Sequence, residues 1–78
     1  SPTRGEYRDA VTPDDLATVA AELSVMSEGA ERYAQRVAEL ASSSIGADHD
    51  DLLSAVHEAE RSLRVAHRSL ARAHRLAR

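Results

Sequence analysis

The feature that most constrains this chain is the spacing of its apolar residues. From Leu16 they recur at Val19, Leu23, Met26, Ala30, Tyr33, Val37 and Leu40, and the intervals alternate three and four without a slip. An average repeat of about 3.5 residues belongs to helices packed side by side; a strand would alternate every second residue. A second set, Leu52, Val56, Ala59, Leu63, Ala66, Leu70, Ala73 and Ala77, keeps the same rhythm. Between the two, Ser42-Ser43-Ser44-Ile45-Gly46-Ala47 breaks it.

The punctuation agrees with two helices. Thr12 can cap a helix, Pro13 suits its first position, and Asp14 and Asp15 favour its positive end. The spacing predicts a first helix over 13–44, a turn over 45–48 and a second helix over 49–77. Residues 1–11 lack periodicity and read as a polar arm containing Tyr7. Gly46 suits a left-handed helix end, and Asp48 can cap the second helix with Asp50 and Asp51 in its first turn. Gly29 falls inside the first pattern. The heptad keeps phase on both sides, so the helix is expected to run through it.

A short connection makes the helices antiparallel. Pairs whose numbers sum to 96 place the fold-back on residue 48, inside the expected loop. The layers are then Val19–Ala77, Leu23–Ala73, Met26–Leu70, Ala30–Ala66, Tyr33–Leu63, Val37–Ala59 and Leu40–Val56. Several set a large side chain against alanine, which makes the seam alanine-rich and lets the backbones approach closely. The expected core is Leu23, Met26, Tyr33, Val37, Leu40, Val56, Leu63 and Leu70.

Composition narrows the rest. The chain has 78 residues, no cysteine, two prolines, three glycines and, by count, fifteen alanines. That excludes disulfides and thiolate metal sites, and makes a sheet protein improbable. A single core is marginal at this size. No apolar run is long enough to span a bilayer, and the first residues carry no signal-peptide pattern. The location stays open: the cytoplasm is the first expectation, and secretion without a cleaved signal is the alternative.

The residues flanking the seam are mostly small or apolar where a free-standing hairpin would carry charge. They are Ala20, Ser27, Ala34 and Ala41 on the first helix, and Leu53, Glu60, His67 and His74 on the second. Ala55, Ser62, Ser69 and Leu76 form a further flank. A stripe this wide is what bundle helices need. The fold class expected is all-α: an antiparallel, coiled-coil-like two-helix hairpin. Two such hairpins would pair, as a homodimer or with a homologous helical partner, into a four-helix bundle.

Charge is divided along the chain. Residues 52–78 hold six arginines against two glutamates, a net +4. Residues 1–51 hold four arginines against eleven acids, a net −7. Arg61, Arg64, Arg68, Arg72 and Arg75 share one side of the second helix, away from the apolar stripe. Guanidinium forks engage phosphate or carboxylate in pairs, so a nucleic-acid-associated dimer is an alternative reading. No aromatic side chains for base stacking accompany the stripe. The opposite charge on the first helix and the cation preference of a helix C-terminus explain it without nucleic acid.

Catalysis and metal binding find little support. His67 and His74 share a face but stand about 10 Å apart along the axis, beyond the four-residue spacing of a helical metal pair. Both flank the seam, where charging them near pH 6 would weaken association. His49 and His57 fall on other faces. No nucleophile–base pair, glycine-rich phosphate loop or Glu-x-x-His pattern is present. The expectation is a non-enzymatic interaction module without a cofactor.

The stretch Val11-Thr12-Pro13-Asp14-Asp15-Leu16-Ala17-Thr18-Val19-Ala20-Ala21-Glu22-Leu23, opening a hairpin of this size, resembles the start of small actinobacterial type VII secretion substrates of the WXG hairpin family. The resemblance implies two antiparallel helices, dimerisation into a four-helix bundle, and secretion without a cleaved signal. The family's Trp-x-Gly turn corresponds here to Ser44-Ile45-Gly46, which keeps only the glycine. Its export signal pairs a tyrosine with an acid four residues on; here Tyr33 is followed by Val37 and Tyr7 by Val11.

Overall fold

The computed structural model describes residues 12–78. The expected polar arm, with Tyr7, lies outside the described residues. The described chain is a hairpin of two helices in contact, α1 (Pro13–Ser43) and α2 (Asp50–Ala77), of 31 and 28 residues. At about 1.5 Å per residue each is over 40 Å long.

The start of α1 follows from local chemistry. Thr12 is extended (φ −78, ψ 158) and its Oγ1 accepts the Asp15 backbone N–H at 3.1 Å. Pro13 occupies the opening turn, where its missing N–H costs nothing. Thr12→Ala should therefore lower stability by about 1 kcal/mol. A thermal melt should show the midpoint falling by roughly 4–8 °C, with Thr12→Ser near wild type. The helix runs unbroken through Gly29.

The turn departs from expectation in two places. No described glycine has a positive φ, so Gly46 is not a left-handed cap. Instead α1 ends through Ser44 (φ −119, ψ −13), whose N–H reaches the Leu40 carbonyl at 3.0 Å. A Cβ at 46 would lie 2.8 Å from Asp48 Oδ1, the tip of an exposed side chain that can swing aside, so neither φ nor space requires glycine there. Asp48 does not cap α2 either. The capping position is His49, which makes no side-chain cap bond, and its N–H returns to the Gly46 carbonyl at 3.1 Å. Asp50 and Asp51 still place negative charge in the first turn of α2.

Side-chain contacts fix the pairing. His74 Nδ1 lies 2.7 Å from the Ala20 carbonyl oxygen, and His67 Nδ1 lies 2.9 Å from that of Ser27. A carbonyl oxygen only accepts, so both imidazoles carry their proton on Nδ1 and donate across the seam. The Ser27 hydroxyl donates in return to the His67 carbonyl at 3.2 Å. Both pairs have numbers that sum to 94. The same register sets Ala34 opposite Glu60 and Ala41 opposite Leu53.

The contact is therefore turned from the one the heptad suggested. The described buried residues of the hairpin are Ala20, Ser27, Ala30 and Ala34, the last with no exposed surface, and none larger than these is buried. Each helix is rotated by about 50°, half the angle between successive residues. The row Val19, Met26, Tyr33, Leu40 gives way to Ala20, Ser27, Ala34, Ala41. On α2 the row Leu52, Ala59, Ala66, Ala73 gives way to Leu53, Glu60, His67, His74. Met26, Tyr33 and Leu40 are consequently not core residues of the hairpin, being 52%, 56% and 51% exposed. The layers summing to 96, such as Met26–Leu70 and Tyr33–Leu63, do not occur within it. The physical reason is size. Small residues on α1 let the longer side chains of α2 lie across it, and two of those, His67 and His74, find backbone acceptors there.

Candidate interaction face

In an antiparallel pair, rows at equal angles on the two helices lie on the same side. Ala20 to Ala41 and Leu53 to His74 run along the middle of the contact, with half-buried Ser24, Ala38, Arg64 and Ala71 on its far side. Next to them runs the middle row of each helix: Leu23, Ala30 and Val37 on α1, and Val56, Leu63 and Leu70 on α2. Apart from Ala30, which is buried, these are half-buried. Beyond them, on the same side of the hairpin, run Val19, Met26, Tyr33 and Leu40 on α1 and Leu52, Ala59, Ala66 and Ala73 on α2. Five of this last set are large apolar side chains open to solvent: Val19, Met26, Tyr33 and Leu40 along the full length of α1, and Leu52 at the start of α2.

The eight residues named from the heptad thus share one broad face. Leu23, Val37, Val56, Leu63 and Leu70 form its floor, and Met26, Tyr33 and Leu40 its α1 margin. Two helices about 10 Å apart and over 40 Å long present on the order of 800 Å², the area each partner of a standard interface buries. Large contiguous apolar patches mark contact sites rather than ordinary surface. At the open end of the hairpin Pro13, Leu16, Ala20, His74 and Leu76 line a shallow apolar groove.

The opposite side is mostly polar, with Val25 and Val65 the exposed apolar side chains on it. Arg61, Arg68, Arg72 and Arg75 are exposed there, while Arg64 is half-buried. Arg64 Nε lies 3.0 Å from Glu60 Oε2, so the most enclosed guanidinium already has a carboxylate. His57 Nδ1 is 4.0 Å from Glu60 as well. Glu31 Oε2 stands 3.8 Å from His67 Nε2. This is a mixed-charge surface with an arginine margin.

His67 and His74 sit in the contact between α1 and α2, not on the apolar face. Sequence reasoning placed them beside a seam but attached them to association between hairpins. Their bonds belong to the hairpin itself. Among the described residues no three His, Asp or Glu side chains converge to hold a metal ion, and no helix is long and apolar enough to cross a membrane. What sequence reasoning missed was the buried role of Ala20, Ser27 and Ala34. Their seven-residue spacing was the available signal.

No protein-family model, no curated protein and no solved structure matches this chain.

Proposed function

We propose that this chain is a non-enzymatic helical-hairpin interaction module. It works by laying its apolar face on another helical hairpin, its own copy or a homologous partner, to close a four-helix bundle. One observation carries the reading: Val19, Met26, Tyr33 and Leu40 stand exposed beside the half-buried Leu23, Val37, Val56, Leu63 and Leu70. A hairpin that buries only three alanines and a serine among its described residues has too little core to stand alone. A second layer over the apolar face supplies one.

Sedimentation equilibrium and thermal melts at several concentrations test this. A self-paired module has twice the 8.4 kDa chain mass, and its midpoint rises with concentration. A module made for a homologous partner is a monomer that melts without cooperativity until that partner is added. An 8.4 kDa monomer with a sharp, concentration-independent transition would sink the reading, because the hairpin would then be complete by itself.

The type VII resemblance supplies a second reading, a hairpin exported in its paired form. Two antiparallel helices with an uncovered apolar face support it. A secretion ATPase encoded beside the gene is the observation that would favour it.

A further inference from the structure

Gly29 has no explanation inside the hairpin. It lies mid-helix, where glycine costs roughly 1 kcal/mol against alanine. Its φ is not positive, and a Cβ there would meet only the tip of the Arg32 side chain, at 3.8 Å. Its row, just outside Val19, Met26, Tyr33 and Leu40, reads Glu22, Gly29, Arg36. That row borders the apolar face on the α1 side, where a neighbouring helix would pass.

Along this row the charge is opposite on the two sides of Gly29. Glu22 and Arg36 are seven residues either side of it. Met26 and Tyr33, then Val19 and Leu40, are symmetric about a point half a residue away. On α2 the rows bordering the face behave alike. Ala59 and Ala73 flank Ala66 symmetrically, and Ser62 with Ser69, then Ala55 with Leu76, are centred half a residue from it. In the register set by the His67 and His74 bonds, Gly29 stands level with residue 65, one residue from Ala66.

From this, we infer that the occupant of the apolar face is a second copy of this chain, related by a two-fold axis that crosses the helices beside Gly29 and Ala66. The inference rests on the docking-face reading above. Each α1 then packs antiparallel on its counterpart. Met26 meets Tyr33 of the other copy, a sulfur–aromatic contact, and Val19 meets Leu40. Glu22 of each copy stands against Arg36 of the other, twice by symmetry, and Gly29 lets the backbones approach at the crossing. The second helices meet through Ala59, Ala66 and Ala73 with Ser62 and Ser69 at the border. The alternative two-fold, along the bundle axis, sets α1 against α2 of the other copy. Glu22 and Arg36 would then face Ala55, Ser62, Ser69 and Leu76, with no countercharge. Flanking charges of this kind select partner and orientation in paired helices.

The chain has no cysteine, so one introduced thiol reports without interference. Gly29→Cys should give an oxidised, covalent dimer in high yield, since the two sites are adjacent only in this arrangement. In the alternative they lie diagonally, about 14 Å apart, beyond the 4.4–6.8 Å Cα separation a disulfide spans. Glu22→Cys should not cross-link to itself. In parallel, Glu22→Arg and Arg36→Glu should each weaken the dimer roughly tenfold by placing like charges opposite, and the double reversal should restore it. A dimer that neither cross-links through Gly29→Cys nor shows the charge rescue overturns this geometry and leaves the docking face standing. An isolated chain that stays at 8.4 kDa overturns the inference whatever its stability, and a sharp melt of that monomer overturns the docking face as well.

Discussion

Ala34→Leu should dismantle the hairpin. Ala34 has no exposed surface and lies where α2 crosses α1, opposite Glu60. Three added carbons have no space unless the helices separate. Overpacking of this kind costs about 1–3 kcal/mol, a large share of the stability of a fold this small. Separation also lengthens the cross-seam bonds of His67 to Ser27 and of His74 to Ala20, now 2.9 and 2.7 Å. The thermal midpoint should fall by about 10 °C or more, read by circular dichroism at 222 nm. Ala21→Leu, on the exposed outer side of α1, is the control and should change stability by no more than about 0.5 kcal/mol. If the two variants melt alike, the small-residue contact is not where the helices meet.

The neighbouring side chain should behave in the opposite way. Met26→Glu combined with Tyr33→Glu puts two carboxylates on the apolar face without touching the buried row. Both native side chains are more than half exposed, so the hairpin loses little of its own packing. Burial of each is worth about 1.5–3 kcal/mol. If association covers them on both copies, the loss is counted twice and affinity falls by a thousandfold or more. Sedimentation at tens of micromolar should then find an 8.4 kDa chain whose melt has lost its cooperativity and no longer depends on concentration. An unchanged mass would move the association surface elsewhere. The contrast is instructive, because Ala34 and Tyr33 are adjacent in sequence. One residue of rotation separates a position that holds the helices of a hairpin together from one that faces a partner.

That rotation is also where reading the sequence stopped working. The heptad gave the helices, their antiparallel relation and the residues of the apolar stripe. It did not say which edge of the stripe turns inward. The stripe is three rows wide on each helix, and any two neighbouring rows satisfy a 3.5-residue repeat. The size-matched layers favoured the middle row with the Met26 row. The structure uses the middle row with the Ala20 row. Register slipped with it, from sums of 96 to sums of 94, one residue along each helix. The turn failed for a different reason. Gly46 fits several backbone conformations equally well, and only the structure shows that its φ is not positive.

The sequence by itself determined that this chain is helical, where the helices begin and end to within a residue or so, and which residues are apolar enough to seek cover. These follow from local rules: a capping threonine, a proline in the first turn, and the angular period of side chains along one helix. Only the tertiary structure decided how the apolar stripe is divided between the neighbouring helix and the outside. That division depends on which rows turn inward once the helices lie side by side, where Ala20, Ser27, Ala30 and Ala34 are buried and His67 and His74 meet backbone acceptors. Periodicity records direction around one axis; it carries no information about the separation of two.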